Sequence, residues 1–175
     1  MRRRGLLAGG GLLLAAPALR RARAAPSVVE VRLRSDPDGA RVGFDPIGLR
    51  VAPGTRVRWV LEANVHTTTA YHPDNDRHPL RIPEGAKPWD SGYLVDPGQA
   101  FEVTLTVEGV YDYFCTPHEE AGMVGRIVVG RPTGPGARPV DNAAYARKGW
   151  RAVPPAAKAA FPGVDAIVSK GIVRA

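Results

Sequence analysis

The segment Cys-Thr-Pro-His-Glu-Glu-Ala-Gly-Met carries three side chains that bind soft metals. Cys115, His118 and Met123 supply a thiolate, an imidazole and a thioether within nine residues. Together these donors suit copper, and they predict a trigonal site of one cysteine and two histidines with a long axial methionine bond. Such a site needs one more histidine from another part of the chain.

The second histidine has three candidates upstream of this segment. His66 follows a well-patterned strand and is the best of them. His72 stands at a strand end and His78 in a loop, where we expect both to be exposed to solvent. A separate metal site built from His72 and His78 is an alternative, although a loop offers such a site no fixed geometry. Polar residues near His66 that can hydrogen-bond around a metal site are Asn64, Thr67 and Thr68.

Enzyme chemistry fits the same residues less well. Cys115 is the only cysteine of the chain, which excludes an internal disulfide. A Cys–His nucleophilic pair would need a third, orienting group and would leave Met123 without a role. A copper oxidase or nitrite reductase would need further histidine clusters and a longer chain. The sequence has no Walker loop, Gly-x-Gly-x-x-Gly motif or Cys-x-x-Cys pair, so we expect a protein that is not an enzyme.

Residues 1–24 have the composition of an export signal. Arginines at 2–4 precede an apolar stretch over 6–19, which is too short for a comfortable membrane span. Small residues in Ala-Arg-Ala at 22–24 predict cleavage after this tripeptide. The run Arg-Arg-Gly-Leu-Leu at 3–7 resembles a twin-arginine signal, with an ordinary secretory signal or an uncleaved anchor as the alternatives. Each of these places the protein outside the cytoplasm, for instance in a periplasm.

The charge of the chain is concentrated in this leader. A net charge of +7 and an isoelectric point near 10.1 are typical of nucleic-acid binding. However, six of the 24 basic residues lie in residues 1–24, and their removal leaves 18 basic against 17 acidic residues. We therefore expect no nucleic-acid partner.

Residues 25–130 alternate apolar and polar side chains with the period of β-strands. Turn signals such as Pro-Gly at 53–54 and 97–98 separate the alternating runs. Seven to nine short strands with this spacing predict an all-β sandwich or barrel. We expect Trp59 and Trp89 to pack in its core or at its edge, and Glu119 and Glu120 to lie on a solvated face. The predicted strands cover 29–34, 40–44, 57–61, 65–71, 101–107, 110–115 and 124–129, and residues 73–87 are predicted to form a long loop.

The chain changes character after residue 130. Residues 131–141 hold three prolines and two glycines, which predicts a linker or an arm along the surface. Residues 142–175 are alanine-rich and predict a short helical C-terminal extension, with Asp141 as the cap of a first helix over 142–148. Helices this short are not stable alone, so we expect them to pack on the sandwich. The apolar stripe of a second helix consists of Val164, Ile167 and Val168, and Gly171 ends it.

The segment Cys-Thr-Pro-His-Glu-Glu-Ala-Gly-Met-Val-Gly resembles the ligand loop of the cupredoxins, the small blue copper proteins. It is most similar to the loops of plastocyanin, halocyanin and pseudoazurin, and the resemblance extends in pattern over about residues 28–130. It implies a Greek-key β-sandwich of eight strands that holds one type 1 copper ion. The asparagine that usually follows the first histidine in this family is Thr67 here. Carried over by position, the implied copper ligands are His66, Cys115, His118 and Met123.

The resemblance also implies a function. A protein of this kind shuttles single electrons between larger redox proteins, as a monomer that meets a membrane through its partners or an uncleaved leader. A copper storage or delivery module is the alternative, and a sandwich without metal is a third possibility. Storage proteins more often expose several methionines and histidines in open sites, whereas this chain has two methionines, one of them the first residue.

Overall fold

A computed structural model describes residues 27–174, so the predicted export signal at residues 1–24 lies outside the described part of the chain. The alternating segments form two β-sheets, with strand orders β2-β1-β4-β6 and β5-β7-β8-β3-β9. The strands are β1 (Val28–Ser35), β2 (Val42–Asp45), β3 (Gly48–Val51), β4 (Thr55–Leu61), β5 (Thr69–Ala70), β6 (Ala100–Leu105), β7 (Gly109–Phe114), β8 (Val124–Val129) and β9 (Ile172–Val173).

Two parallel pairs, β1 with β4 and β3 with β8, connect strands that are distant in sequence. The other neighbours pair antiparallel. Parallel neighbours cannot be joined by a tight hairpin, so the chain crosses between the sheets several times. The all-β sandwich predicted from the sequence is confirmed.

The core lies between the two sheets and follows from the alternation. In β1, Val31 is buried between the exposed Glu30 and Arg32. Val31 lies beside Trp59 of β4 in the strand register. Each large apolar side chain buried in this way contributes about 1.5–3 kcal/mol. Trp59 and Trp89 are both buried, which confirms their predicted role in packing and places them in the core.

The threonine-rich segment departs from its predicted strand over 65–71. It forms the two-residue strand β5 and two isolated bridges, His66 with Leu94 and Thr69 with Asp90. Its hydrogen bonds go partly to side chains: Thr68 N donates to Ser91 Oγ at 2.9 Å. Bonds of this kind replace ladder bonds and break up the strand. Strands β3 and β9, neither of which was predicted, add to the second sheet.

The C-terminal extension contains three helices, α1 (Asn142–Arg147), α2 (Pro155–Ala160) and α3 (Val164–Lys170). The predicted cap of α1 is confirmed, because Asp141 Oδ1 accepts a hydrogen bond from Ala144 N at 2.9 Å. Helix α2 was missed, since six residues with one buried alanine carry little periodicity. Apolar residues of the extension pack against β7 and β8, as predicted. Between residues 27 and 174, no helix has the length and hydrophobicity needed to cross a membrane.

A buried ionic cluster fastens this extension to the sandwich. Asp112 is flanked by Arg81 and Arg126, whose Nε atoms each lie 2.7 Å from one of its carboxylate oxygens. Paired charges of this kind tolerate burial because they are also hydrogen-bonded. Other guanidinium nitrogens of the two arginines donate to the chain after β8: to the backbone carbonyls of Gly136, Arg138 and Pro162 and to the Tyr145 hydroxyl.

Candidate metal centre

The connection between β7 and β8 is a 3₁₀ turn over Thr116–Ala121. Gly122 ends the turn with a φ of 84°, a left-handed conformation that favours glycine. Cys115 N donates to Met123 O at 3.0 Å, and Met123 N donates to His118 O at 3.1 Å. These bonds close the loop on itself and hold all three of its candidate ligands in a compact arrangement.

His66 reaches the loop from a distant part of the chain. Its backbone is fixed by the bridge to Leu94, in which His66 N donates to Leu94 O at 3.2 Å and Leu94 N donates to His66 O at 2.9 Å. Cys115 Sγ lies 3.5 Å from His66 Nδ1 and 3.4 Å from His118 Nδ1, and the two Nδ1 atoms are 3.1 Å apart. The three donor atoms therefore lie within 4.8 Å of one another.

Burial differs among the four candidates. His66 and Cys115 have no solvent-exposed surface, and Met123 is buried in the same apolar cluster as Cys115. His118 is partly exposed. Three of the four candidate ligands are thus buried, and the centre reaches the surface through the His118 ring.

Ser35 orients the inner histidine, and the sequence held no signal for this contact. Its Oγ lies 2.9 Å from His66 Nε2. A neutral imidazole with its hydrogen on Nε2 donates it to Ser35 and leaves the Nδ1 lone pair facing Cys115 and His118. Such partners fix the ring and tautomer that a metal requires.

Thr67 holds the cysteine in place. Its backbone N donates to Cys115 Sγ at 3.3 Å, and its hydroxyl oxygen accepts a hydrogen bond from Thr116 N at 2.8 Å. This hydroxyl joins the His66 segment to the ligand loop at the position where the family resemblance leads one to expect asparagine. Thr68 faces away and accepts from Trp89 Nε1 at 3.2 Å, while Asn64 takes a left-handed turn position with a φ of 64°.

Burial sets the protonation of the centre. It lowers the pKa of His66 to about 4, and the neighbouring His118 lowers that pKa as well. The pKa of His118 is also lowered by burial. Burial raises the pKa of the Cys115 thiol to about 11, against the opposing effect of the Thr67 N–H. At neutral pH both imidazoles are therefore ready to bind a metal, and the thiol releases its proton when the metal binds.

The chemistry of these donors fits copper. Two imidazole nitrogens and one thiolate sulfur meet in one place, with a thioether in the same buried cluster. Thiolate and thioether donors suit Cu(I), and imidazoles suit both copper states. Zinc sites in proteins instead use cysteine, histidine and carboxylate ligands, so a buried methionine favours copper.

Two sequence predictions around the centre are wrong. His78 was expected to be exposed, yet its side chain is 4% exposed because it folds under the ligand loop beside Phe114. Glu119 was expected on a solvated face, yet the 3₁₀ turn points it inward, where Tyr71 and His78 bind its carboxylate. His72 is partly exposed, lies 3.5 Å from an Asp74 carboxylate oxygen, and is not brought to the metal centre.

Two packed sheets, with a buried cysteine and one histidine at the β7–β8 connection and a second histidine brought to them from a distant segment, define a cupredoxin. A family model described as copper binding proteins, plastocyanin/azurin family, matches residues 30–130. The chain therefore belongs to the plastocyanin/azurin family of copper-binding proteins, and the resemblance seen in the sequence is confirmed.

Relatives and solved structures agree with this assignment. The chain is 31% identical over 102 residues to a plastocyanin of Cucumis sativus, covering 58% of this chain and 99% of that protein. It is 36% identical over 100 residues to plastocyanin A/B of Petroselinum crispum, covering 57% and 98%. A pseudoazurin from Sinorhizobium meliloti shares 29% identity with a TM-score of 0.55, covering 83% of this chain and 98% of that one. The protein is a blue copper electron carrier and not an enzyme.

Proposed function

We propose that His66, Cys115 and His118 bind one type 1 copper ion and that Met123 supplies the weak axial thioether. The observation that carries this proposal is the convergence of three donor atoms, from two distant segments, within 4.8 Å. Met123 is included because it is buried beside Cys115 and its backbone bonds to both loop ligands. A long axial methionine bond is typical of electron-transfer copper sites.

When bound, copper supplies the exchange of one electron between Cu(I) and Cu(II). The chain keeps the ligands still while the charge changes. Thr67 N–H and Ser35 Oγ bond to Cys115 and His66 and hold these two ligands in place. Because His118 is the ligand that reaches the surface, we assign it as the point where electrons enter and leave.

The partners in this proposal are larger redox proteins, one donating the electron and one accepting it. The compartment is extracytoplasmic, as it is for the plastocyanin and pseudoazurin relatives. We propose that residues 1–24 direct export by the twin-arginine route, that residues 25–130 form the copper domain, and that residues 131–141 lead into the extension at 142–175. The protein acts as a monomer in this scheme.

The visible spectrum tests the ligand assignment. A copper–thiolate bond gives an intense visible band, so Cys115→Ser should give a nearly colourless protein that still folds. Glu120→Gln, at the exposed neighbour of Glu119, is the matched control and should keep the colour. A full band in Cys115→Ser would refute the assignment.

Voltammetry separates the electron carrier from the storage or delivery alternative. A carrier should cycle reversibly by one electron with constant copper content. A delivery module should instead lose copper on reduction or on transfer to a competing ligand, which metal analysis after repeated cycles would reveal.

A further inference from the structure

A buried hydrogen-bonded cluster lies next to the ligand loop, and the proposed copper site does not use it. Tyr71 OH donates to Glu119 Oε1 at 2.6 Å. His78 Nε2 and Glu119 Oε2 share one hydrogen at 3.1 Å, and His78 Nδ1 donates to the Asn75 carbonyl at 2.6 Å. Tyr71, His78 and Glu119 are all buried. A buried carboxylate destabilises a protein unless its oxygens are hydrogen-bonded, and both oxygens of Glu119 have a partner. An arrangement that meets this requirement in full suggests a role for the cluster.

The two rings that bind the carboxylate also hold Phe114. The His78 ring stacks on Phe114 with centroids 4.2 Å apart and an interplanar angle of 27°. The Tyr71 ring packs on the same phenyl ring with centroids 4.7 Å apart. Phe114 directly precedes Cys115, and Glu119 directly follows His118. The cluster therefore contacts the chain directly before Cys115 and directly after His118.

Helix α2 covers another side of the loop. A Cβ atom placed on Gly122 would lie 3.2 Å from Ala156 O, so the loop and α2 are in close contact. Phe161, directly after α2, packs on Tyr71 with ring centroids 5.7 Å apart. The loop thus lies between α2 and the hydrogen-bonded cluster, so the carboxylate bonds contribute to its position.

We propose that Tyr71, His78 and Glu119 are positioning residues that fix Cys115 and His118 for the metal. This inference rests on the proposed function, because it takes Cys115 and His118 as copper ligands. Glu119 is central, since its two carboxylate oxygens connect Tyr71 and His78 to the loop. Rigid support of this kind limits how far ligands move when the metal changes charge.

Three variants separate the hydrogen bonds from the packing. Glu119→Gln keeps the shape, since the amide oxygen accepts from Tyr71 and the amide NH₂ donates to a neutral His78 ring. Glu119→Leu keeps similar volume and breaks both bonds. Glu120→Leu, at the exposed neighbouring position, is the matched control. If Glu119→Leu fails to fold, Tyr71→Phe removes one of the two bonds and keeps the ring.

Three measurements then decide the inference. In the copper-free protein, amide hydrogen exchange at residues 118–122 should be at least ~10-fold faster in Glu119→Leu than in the wild type, as loss of bonds to a charged group implies. In the copper-loaded protein, the copper hyperfine splitting in electron paramagnetic resonance should change, and the electron self-exchange rate should fall. Glu119→Gln should restore all three values, and Glu120→Leu should leave them unchanged.

Failure of the inference and failure of the proposed function look different. If the wild type shows the type 1 copper signal and Glu119→Leu matches Glu120→Leu in exchange and hyperfine splitting, the positioning role is refuted. If the wild type shows no such signal, the proposed function is refuted, and hydrogen exchange in the copper-free protein still decides whether the cluster fixes the loop.

Discussion

Lowering the pH should destabilise the copper-free protein through His66. Burial, and then the nearby His118, lower the pKa of this ring from 6.5 to about 4. Below pH 6.5 the His66 ring therefore binds a proton in the unfolded chain but stays neutral in the folded protein. The free energy of unfolding consequently falls as the pH falls. The difference between the two pKa values corresponds to about 3 kcal/mol of stability, most of which is lost by pH 4. Above pH 6.5 this ring contributes no pH dependence.

Urea unfolding of the copper-free wild type and of His66→Gln, between pH 7.5 and pH 4, isolates this effect. Other groups titrate in both proteins, so the difference between the two unfolding free energies reports His66. As the pH falls from 7.5 to 4, we expect the unfolding free energy of the wild type to fall by about 3 kcal/mol more than that of His66→Gln. This difference is a large fraction of the ~5–15 kcal/mol typical of a domain. A difference that stays constant with pH would mean that the folded ring accepts a proton freely, and the burial argument would then fail.

The remaining predictions concern the other ligands and the ionic anchor. Met123→Gln should lower the reduction potential and Met123→Leu should raise it, and equal potentials by voltammetry would place Met123 away from the metal. His66→Ala should weaken copper binding or open a position for added imidazole, while His72→Ala should leave the visible spectrum unchanged. Asp112→Asn should lower the unfolding free energy by about 4 kcal/mol, since it leaves two buried guanidinium groups uncompensated. Glu102→Gln, at an exposed ion pair, should cost no more than ~1 kcal/mol in the same urea titration.

The features that the sequence predicted well are local ones. Three candidate ligands lie within nine residues, so their spacing alone brought them to one loop. Strand alternation in β1, β4 and β6 is likewise visible over a few residues, because each strand buries one face. His66 was chosen for the strand before it, and the structure does bring it to Cys115 and His118.

What the sequence did not reveal depends on contacts between distant segments. The bond of Ser35 to His66 joins residues 31 positions apart. The burial of His78 and Glu119 arises because each supplies the partner that the other needs, and neither residue type signals burial by itself. Strand β3 lies between two prolines and has four residues, too few for a period-two pattern to stand out.

The pairing of β3 bears on when the protein can fold. Gly48 of β3 lies opposite Val173 of β9 on one side and opposite Arg126 of β8 on the other. The second sheet therefore joins segments that lie far apart in the sequence. During synthesis, β3 has to wait for more than a hundred further residues before both of its edges are paired. Contacts so distant in sequence make folding slow, on a scale of milliseconds to seconds. Both edges of β3 can accordingly be paired only after Ile172–Val173 has been synthesised.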